Sequence, residues 1–162
     1  MKKRLIVTPQ ICIGCRSCEI ACSFVHAESM SRPAMSRVRV YPFSADSFVP
    51  VLCLQCEEAA CAKVCPTEAL VRNKETGAID FVEDRCVQCK TCVAACPFGN
   101  IHFDATANTI IKCDECQGDP ACARFCPTGA LVWAETPPAI TGKEKQAQPQ
   151  PAQAIAMMAG RK

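Results

Sequence analysis

Apolar residues in this chain come in short bursts, not long stripes. Leu5, Ile6 and Val7 form one, and with Thr8 and the closing Pro9 they predict a strand over residues 5 to 8. Ile20, Phe24 and Val25 predict a short helix from Cys18 to His26. Residues 28 to 36 are loop by composition. Arg37 to Phe43 alternates with period two, the pattern of an edge strand, and Pro42 breaks it. Further bursts follow at Val49 to Leu54, Ala69 to Val71, Ala78 to Val82, Ile101 to Phe103, Thr109 to Lys112 and Ala130 to Trp133. The turn signal Asn73-Lys74-Glu75-Thr76-Gly77 makes the second and third of these a strand, a turn and a strand. None approaches a membrane span.

Cysteines fill the gaps between the bursts, and they fall in four groups. The first is Cys12, Cys15, Cys18 and Cys22, and the third is Cys86, Cys89, Cys92 and Cys96; both have the spacing C-x₂-C-x₂-C-x₃-C. The second group, Cys53, Cys56, Cys61 and Cys65, widens its second gap to four residues. The fourth, Cys113, Cys116, Cys122 and Cys126, widens it to five. Pro66, Pro97 and Pro127 follow the last cysteine of groups two to four, where group one has Ser23. Cys65-Pro66-Thr67-Glu68-Ala69-Leu70-Val71 matches Cys126-Pro127-Thr128-Gly129-Ala130-Leu131-Val132, and Cys96 to Ile101 is a looser copy. The chain is therefore an internal repeat of strand, cysteine loop, short helix and strand.

The 16 cysteines are about a tenth of the 162 residues. In a secreted chain they would cross-link. After Met1 to Arg4, however, the apolar run is too short for a signal peptide, so a reducing cytoplasm is expected and the thiols are read as metal ligands. Hydrophobic content is 49% with cysteine and about 39% without it, modest for a core. Bound metal should then complete the core, and the apo-chain should fold poorly.

Three cysteines two apart followed by x₃-C-P is the bacterial ferredoxin run, in which three thiolates hold one 4Fe–4S cluster and the fourth reaches a second cluster. Zinc ribbons use separated C-x₂-C pairs and have no need of three cysteines within seven residues. Four quartets match four 4Fe–4S clusters with no cysteine left over. Groups two and three are joined by a short strand-turn-strand, so the shared-cysteine rule pairs Cys53, Cys56 and Cys61 with Cys96, and Cys86, Cys89 and Cys92 with Cys65. Groups one and four remain: Cys12, Cys15 and Cys18 with Cys126, and Cys113, Cys116 and Cys122 with Cys22. The expected fold is α+β, small, with short strands and helices and a cluster-filled core. Its outer ferredoxin-like half is 1–45 plus 104–136, and its inner half is 46–103.

Formal charge is +2 with neutral thiols, but four oxidised clusters would bring it to roughly −6. That argues against nucleic acid as a partner. Arg16, Lys63, Lys90 and Arg124 lie one inside each motif. They either solvate helix faces or offset cluster charge and raise potentials. His26 and His102 face no vacant ligand position, and Trp133 fits a strand-end core residue better than an electron relay. Gly14 and Gly99 are isolated loop glycines, not a phosphate cradle. No flavin, nucleotide or pterin site and no catalytic set is legible, so the chain is not expected to catalyse substrate chemistry. From about Thr136 the composition turns to Gly, Lys, Glu, Gln and Pro, a flexible tail over 137–162 ending in Ile155, Met157 and Met158. Such a tail could dock on a partner or on another copy and act as an assembly scaffold.

Cys12-Ile13-Gly14-Cys15, Cys18-Glu19-Ile20-Ala21-Cys22 with His26, Gln55-Cys56-Glu57, Val64-Cys65-Pro66, and Cys113-Asp114 through Cys126-Pro127-Thr128-Gly129-Ala130-Leu131 resemble a known family. It comprises the four-cluster, ferredoxin-like iron–sulfur subunits of molybdenum and tungsten oxidoreductases and of some hydrogenase, formate and carbon monoxide dehydrogenase systems. The resemblance covers residues 1 to about 135 and implies two ferredoxin-like halves with nested ligation. The shorter gap in motif four, with no export signal or anchor read, is most similar to the small polyferredoxin subunit of tungsten-dependent aldehyde oxidoreductases. It implies a catalytic tungsten-pterin subunit on one side and a flavin subunit or ferredoxin on the other. A soluble polyferredoxin is the alternative.

Overall fold

A computed structural model describes residues 3–29 and 33–135. The expected tail at 137–162 lies outside the described residues. The elements are short and alternate as the repeat implies: β1 (Lys3–Val7), α1 (Ser17–Val25), β2 (Arg39–Ser44), β3 (Ser47–Val51), α2 (Ala60–Lys63), β4 (Leu70–Arg72), β5 (Ile79–Phe81), α3 (Thr91–Ala95), β6 (Ile101–Asp104), β7 (Thr109–Lys112), α4 (Ala121–Arg124) and β8 (Leu131–Glu135). This is an α+β chain, and no described helix is long and apolar enough to cross a membrane.

The strands form four separate two-stranded antiparallel sheets among the described residues: β1 with β8, β2 with β3, β4 with β5 and β6 with β7. The β1–β8 pair joins the two ends of the described chain, from Lys3↔Glu135 to Val7↔Leu131. The Thr8 N–H extends the ladder to the Ala130 carbonyl at 2.8 Å. In the β4–β5 hairpin Asn73 makes the turn: its side-chain oxygen accepts from the N–H groups of Glu75 and Thr76. Asp104 does the same for β6–β7, accepting from Thr106 and Ala107. Pro42 does not end its strand. β2 runs on to Ser44, pairs Pro42 with Phe48 and absorbs the disturbance in a register shift between Pro42 and Ser44, as an edge strand allows.

A two-stranded ribbon or a one-turn helix is not stable alone. Here α1 packs on α4 and α2 on α3. Two apolar clusters result. One gathers Cys18, Cys22, Val38, Val40, Leu52, Cys122 and Leu131. The other gathers Ala59, Leu70, Ile79, Cys92, Ile101 and Ile110. Cysteines occupy places that aliphatic side chains would hold in an ordinary core. The β6–β7 hairpin runs across residue 104, where the sequence placed a boundary between halves, and Ile110 packs with the second cluster.

Gly14 fixes one contact between a cysteine loop and a sheet. Its φ is +70°, and a Cβ there would lie 2.5 Å from the Phe48 ring of β3. Gly14→Ala should therefore cost about 2–4 kcal/mol from backbone strain and overpacking. Gly99→Ala, at φ +62° but facing open space, should cost only about 1 kcal/mol. Anaerobic thermal unfolding of the two variants checks the difference.

Candidate metal centre

All four cysteine loops turn the same way. The residue just before the second cysteine is left-handed in each: Gly14 at φ 70°, Gln55 at 48°, Gln88 at 57° and Glu115 at 56°. One left-handed residue reverses the chain between the first two cysteines, so that both thiols can face one point. In motifs one and three the residue after the second cysteine, Arg16 or Lys90, is also left-handed and leads into α1 or α3. The third cysteine is then delivered from the first turn of a helix. After the fourth cysteine, a carbonyl-to-N–H turn closes from Cys65 to Glu68, Cys96 to Gly99 and Cys126 to Gly129, and these three end residues are again left-handed.

The loops bring cysteines together across the sequence. Cys12, Cys15, Cys18 and Cys126 line one pocket. Cys22, Cys113, Cys116 and Cys122 line another, walled by Leu5, Val38 and Leu52. Cys53, Cys56, Cys61 and Cys96 line a third. Cys65 and Cys86 lie close enough to Cys92 for their charges to raise its pKa, and Cys65 bears on Cys89 likewise. Soft sulfur donors around apolar voids fit an iron–sulfur cluster.

The thiols of a quartet are not alike. The third cysteine is desolvated. Burial pushes Cys18 and Cys61 up to about 11 and Cys122 to about 12, and it raises Cys92 as well. Burial also acts on the fourth cysteine, but there hydrogen bonds outweigh it, and Cys22, Cys65 and Cys126 lie below the usual thiol value. The His26 side chain leads at Cys22, and backbone N–H groups lead at Cys65 and Cys126. The backbone N–H of Arg37 reaches Cys22 Sγ at 3.3 Å, that of Ala69 reaches Cys65 Sγ at 3.2 Å and that of Asn100 reaches Cys96 Sγ at 3.4 Å. Such bonds to sulfur are one of the levers on cluster potential.

His26 is a hydrogen-bonding residue. Its Nδ1 is 2.8 Å from the Cys22 carbonyl and its Nε2 is 3.3 Å from Asp114 Oδ1. Arg37 Nη1 donates to Asp114 Oδ2 at 2.7 Å. Asp114, Cys116 and His26 each bring a ligand atom within 4.8 Å of the others, but Arg37 already holds the Asp114 carboxylate. His102 sits half-buried on β6, where burial and the Arg39 charge lower its pKa. Trp133 pairs across from Leu5 on β8 and lines an open surface groove. The four motif cations face outward: Lys63 pairs with Glu58, Arg124 with Asp119 at 2.9 Å, and Lys90 lies over the Phe103 ring at 3.8 Å.

The buried polar residues escaped the sequence reading. Gln55, Asn100, Lys112 and Glu115 are all buried. Asn100 Nδ2 donates to the Leu52 carbonyl at 2.6 Å, tying motif three to the strand that leads into motif two. Gln55 and Lys112 form a network of their own. The one available signal was position: Gln55 and Glu115 stand where Gly14 stands in motif one.

The family described as the 4Fe-4S dicluster domain matches residues 45–136, and a 4Fe-4S binding domain matches residues 9–25. The chain belongs to the 4Fe-4S dicluster family. The chain is similar to the polyferredoxin-like subunit of aliphatic sulfonate oxidoreductase from Pyrococcus furiosus, 38% identical over 122 residues, which cover 75% of this chain and 70% of that protein. The putative electron transport protein YsaA of Escherichia coli K12 is 40% identical over 142 residues, 81% of this chain and 88% of that one. Formate hydrogenlyase subunit 2 of the same strain is 38% identical over 168 residues, 81% of each. As a member of this dicluster family the chain is an iron–sulfur electron-transfer subunit that leaves substrate chemistry to others.

Burial raises the Asp114 carboxyl, but the His26 hydrogen bond and the Arg37 charge outweigh it and hold the group well below the usual carboxylate range. Asp114 in turn is the main reason the His26 ring is raised to about 12. The carboxylate's contribution is present above about pH 3.9 and is lost as pH falls through its depressed value. The imidazolium's contribution is complete below about pH 6.5 and is lost as pH rises toward 12. Asp114→Asn should therefore cost about 1–2 kcal/mol at pH 6 and less at pH 9. Thermal unfolding of the loaded protein at the two pH values measures this.

Proposed function

We propose that this chain carries four 4Fe–4S clusters and relays single electrons between a catalytic subunit and a flavin subunit or ferredoxin. The observation that carries the reading is that three pockets are each lined by three cysteines of one motif and the fourth of another. On this reading Cys12, Cys15, Cys18 and Cys126 hold cluster 1. Cys53, Cys56, Cys61 and Cys96 hold cluster 2. Cys86, Cys89, Cys92 and Cys65 hold cluster 3, and Cys113, Cys116, Cys122 and Cys22 hold cluster 4. When bound, each cluster accepts and releases one electron.

The order of the relay is 1, 4, 2, 3. In support, Cys126 raises Cys18 within the first quartet, Cys18 also bears on Cys122, and Cys53 bears on Cys113. Cys15 and Cys89, in the two terminal quartets, are exposed. Electrons would be exchanged with partners there, while Cys22, Cys113 and Cys122 of the fourth quartet are buried. Outer and inner ferredoxin-like halves then meet between clusters 4 and 2, and the β1–β8 pair holds the outer half closed.

For the catalytic partner we take a tungsten-pterin, aldehyde-oxidising subunit; the relative named as the polyferredoxin-like subunit of an aliphatic sulfonate oxidoreductase supports only the coarser statement, a catalytic oxidoreductase subunit. A second reading, a formate or hydrogenase complex, is favoured by the likeness to formate hydrogenlyase subunit 2. Anaerobic isolation of the native complex followed by mass spectrometry separates the two: a tungsten-pterin subunit is expected, and a nickel or molybdenum subunit supports the second. A free monomer that serves several enzymes equally contradicts both. Cys126→Ser should alter the paramagnetic signal of the cluster built on Cys12, Cys15 and Cys18. A change confined to the cluster of motif four would overturn the ligand pairing.

A further inference from the structure

Lys112 ends β7 and immediately precedes Cys113. Its side chain turns inward and is 5% exposed. The ammonium donates to three oxygens: the Ile79 carbonyl at 2.6 Å, the Cys113 carbonyl at 2.7 Å and Gln55 Oε1 at 3.1 Å. Gln55, 2% exposed, completes the network. Its Nε2 donates to the Cys113 carbonyl at 2.9 Å, and its Oε1 also accepts from the Ile79 N–H at 2.9 Å.

The hydrogen bonds of the ammonium are complete; its charge is not matched. Among the described residues no carboxylate forms an ion pair with it. Buried Glu115 feels its charge without pairing with it. A buried ammonium without a counter-charge is costly, and single deletions around such charges are correspondingly large. Nor does the network need a cation. The Cys113 carbonyl and Gln55 Oε1 each have a second donor, so a neutral side chain would leave only the Ile79 carbonyl to satisfy. What lysine adds here is the charge.

That charge lies between two quartets. Gln55 separates Cys53 from Cys56, and Cys113 opens motif four. The motif cations named from the sequence are exposed, where screening weakens them. We propose that Lys112 is a fixed buried cation shared by the motif-two and motif-four clusters, which raises both potentials and sets the electron step between the two halves. The inference rests on the four-cluster reading. Reduction adds one electron to a cluster that is already anionic; the ammonium stabilises the added charge and transfers no proton.

Redox titration of the loaded protein, followed by electron paramagnetic resonance, tests this with Lys112→Met and Lys112→Arg. K112M keeps the methylene stem and removes the charge. Two of the four clusters should become harder to reduce, with the one-electron equilibrium falling on the order of tenfold, or 59 mV. The other two should move less, and K112R should stay near the parent. A fully loaded K112M with all four potentials unchanged, or with all four shifted equally, overturns the proposal. If K112M loses iron, K112Q, which retains a donor for the Ile79 carbonyl, carries the same test. Cluster loss in both while K112R stays loaded would mean a structural role and would likewise overturn it. Failure of the four-cluster reading shows separately, as a parent protein holding well under about sixteen iron atoms per chain.

Discussion

Buried thiols that cannot carry charge by themselves govern this molecule. Desolvation drives the third cysteine of every motif toward the neutral form, and Cys113 with them. Metal must displace those protons to bind, so loading and folding are coupled. The same sulfurs stand inside both apolar clusters, beside Leu131 in one and Ile101 in the other. This accounts for how little secondary structure the chain needs. Sheets of two strands and helices of one turn are sufficient because each is anchored to a cysteine loop.

The loops owe their likeness to backbone conformation more than to sequence. A left-handed residue stands before the second cysteine in every motif, although glycine fills the place only once. Glutamine and glutamate adopt it elsewhere at some cost in strain. Two of them are buried, and one puts its side chain to use: Gln55 links β5, motif two and motif four through three hydrogen bonds. Turn geometry, thiol presentation and contact between halves are thus joined in single residues. Electron transfer requires that rigidity, since it depends on clusters held at fixed separations and in fixed fields.

Much of this was legible in the cysteine spacing. Covalent proximity along the chain dictates which three sulfurs can meet, and the Cys-Pro copies at 65, 96 and 126 announce the repeat. The apolar bursts at Leu5 to Val7, Ile79 and Ile101 lie in strands as expected. The partner of β2 was less legible, because Ser47 to Val51 contains Pro50 and its alternation is short. Lys112 could not be read. Period-two patterning assigns a terminal lysine to solvent, yet Ile110, Ile111 and Lys112 are all buried, since motif two covers the other side of β7. The surface cations drew notice for lying inside motifs, while the cation with structural weight lay one residue outside.

A four-step relay requires all four quartets of one chain to hold 4Fe–4S clusters. Native mass spectrometry of the anaerobically purified protein measures this most directly. The predicted result is a single dominant species heavier than the apo-chain by four 4Fe–4S units. A dominant species carrying only two such units, or carrying zinc in any quartet, would contradict it.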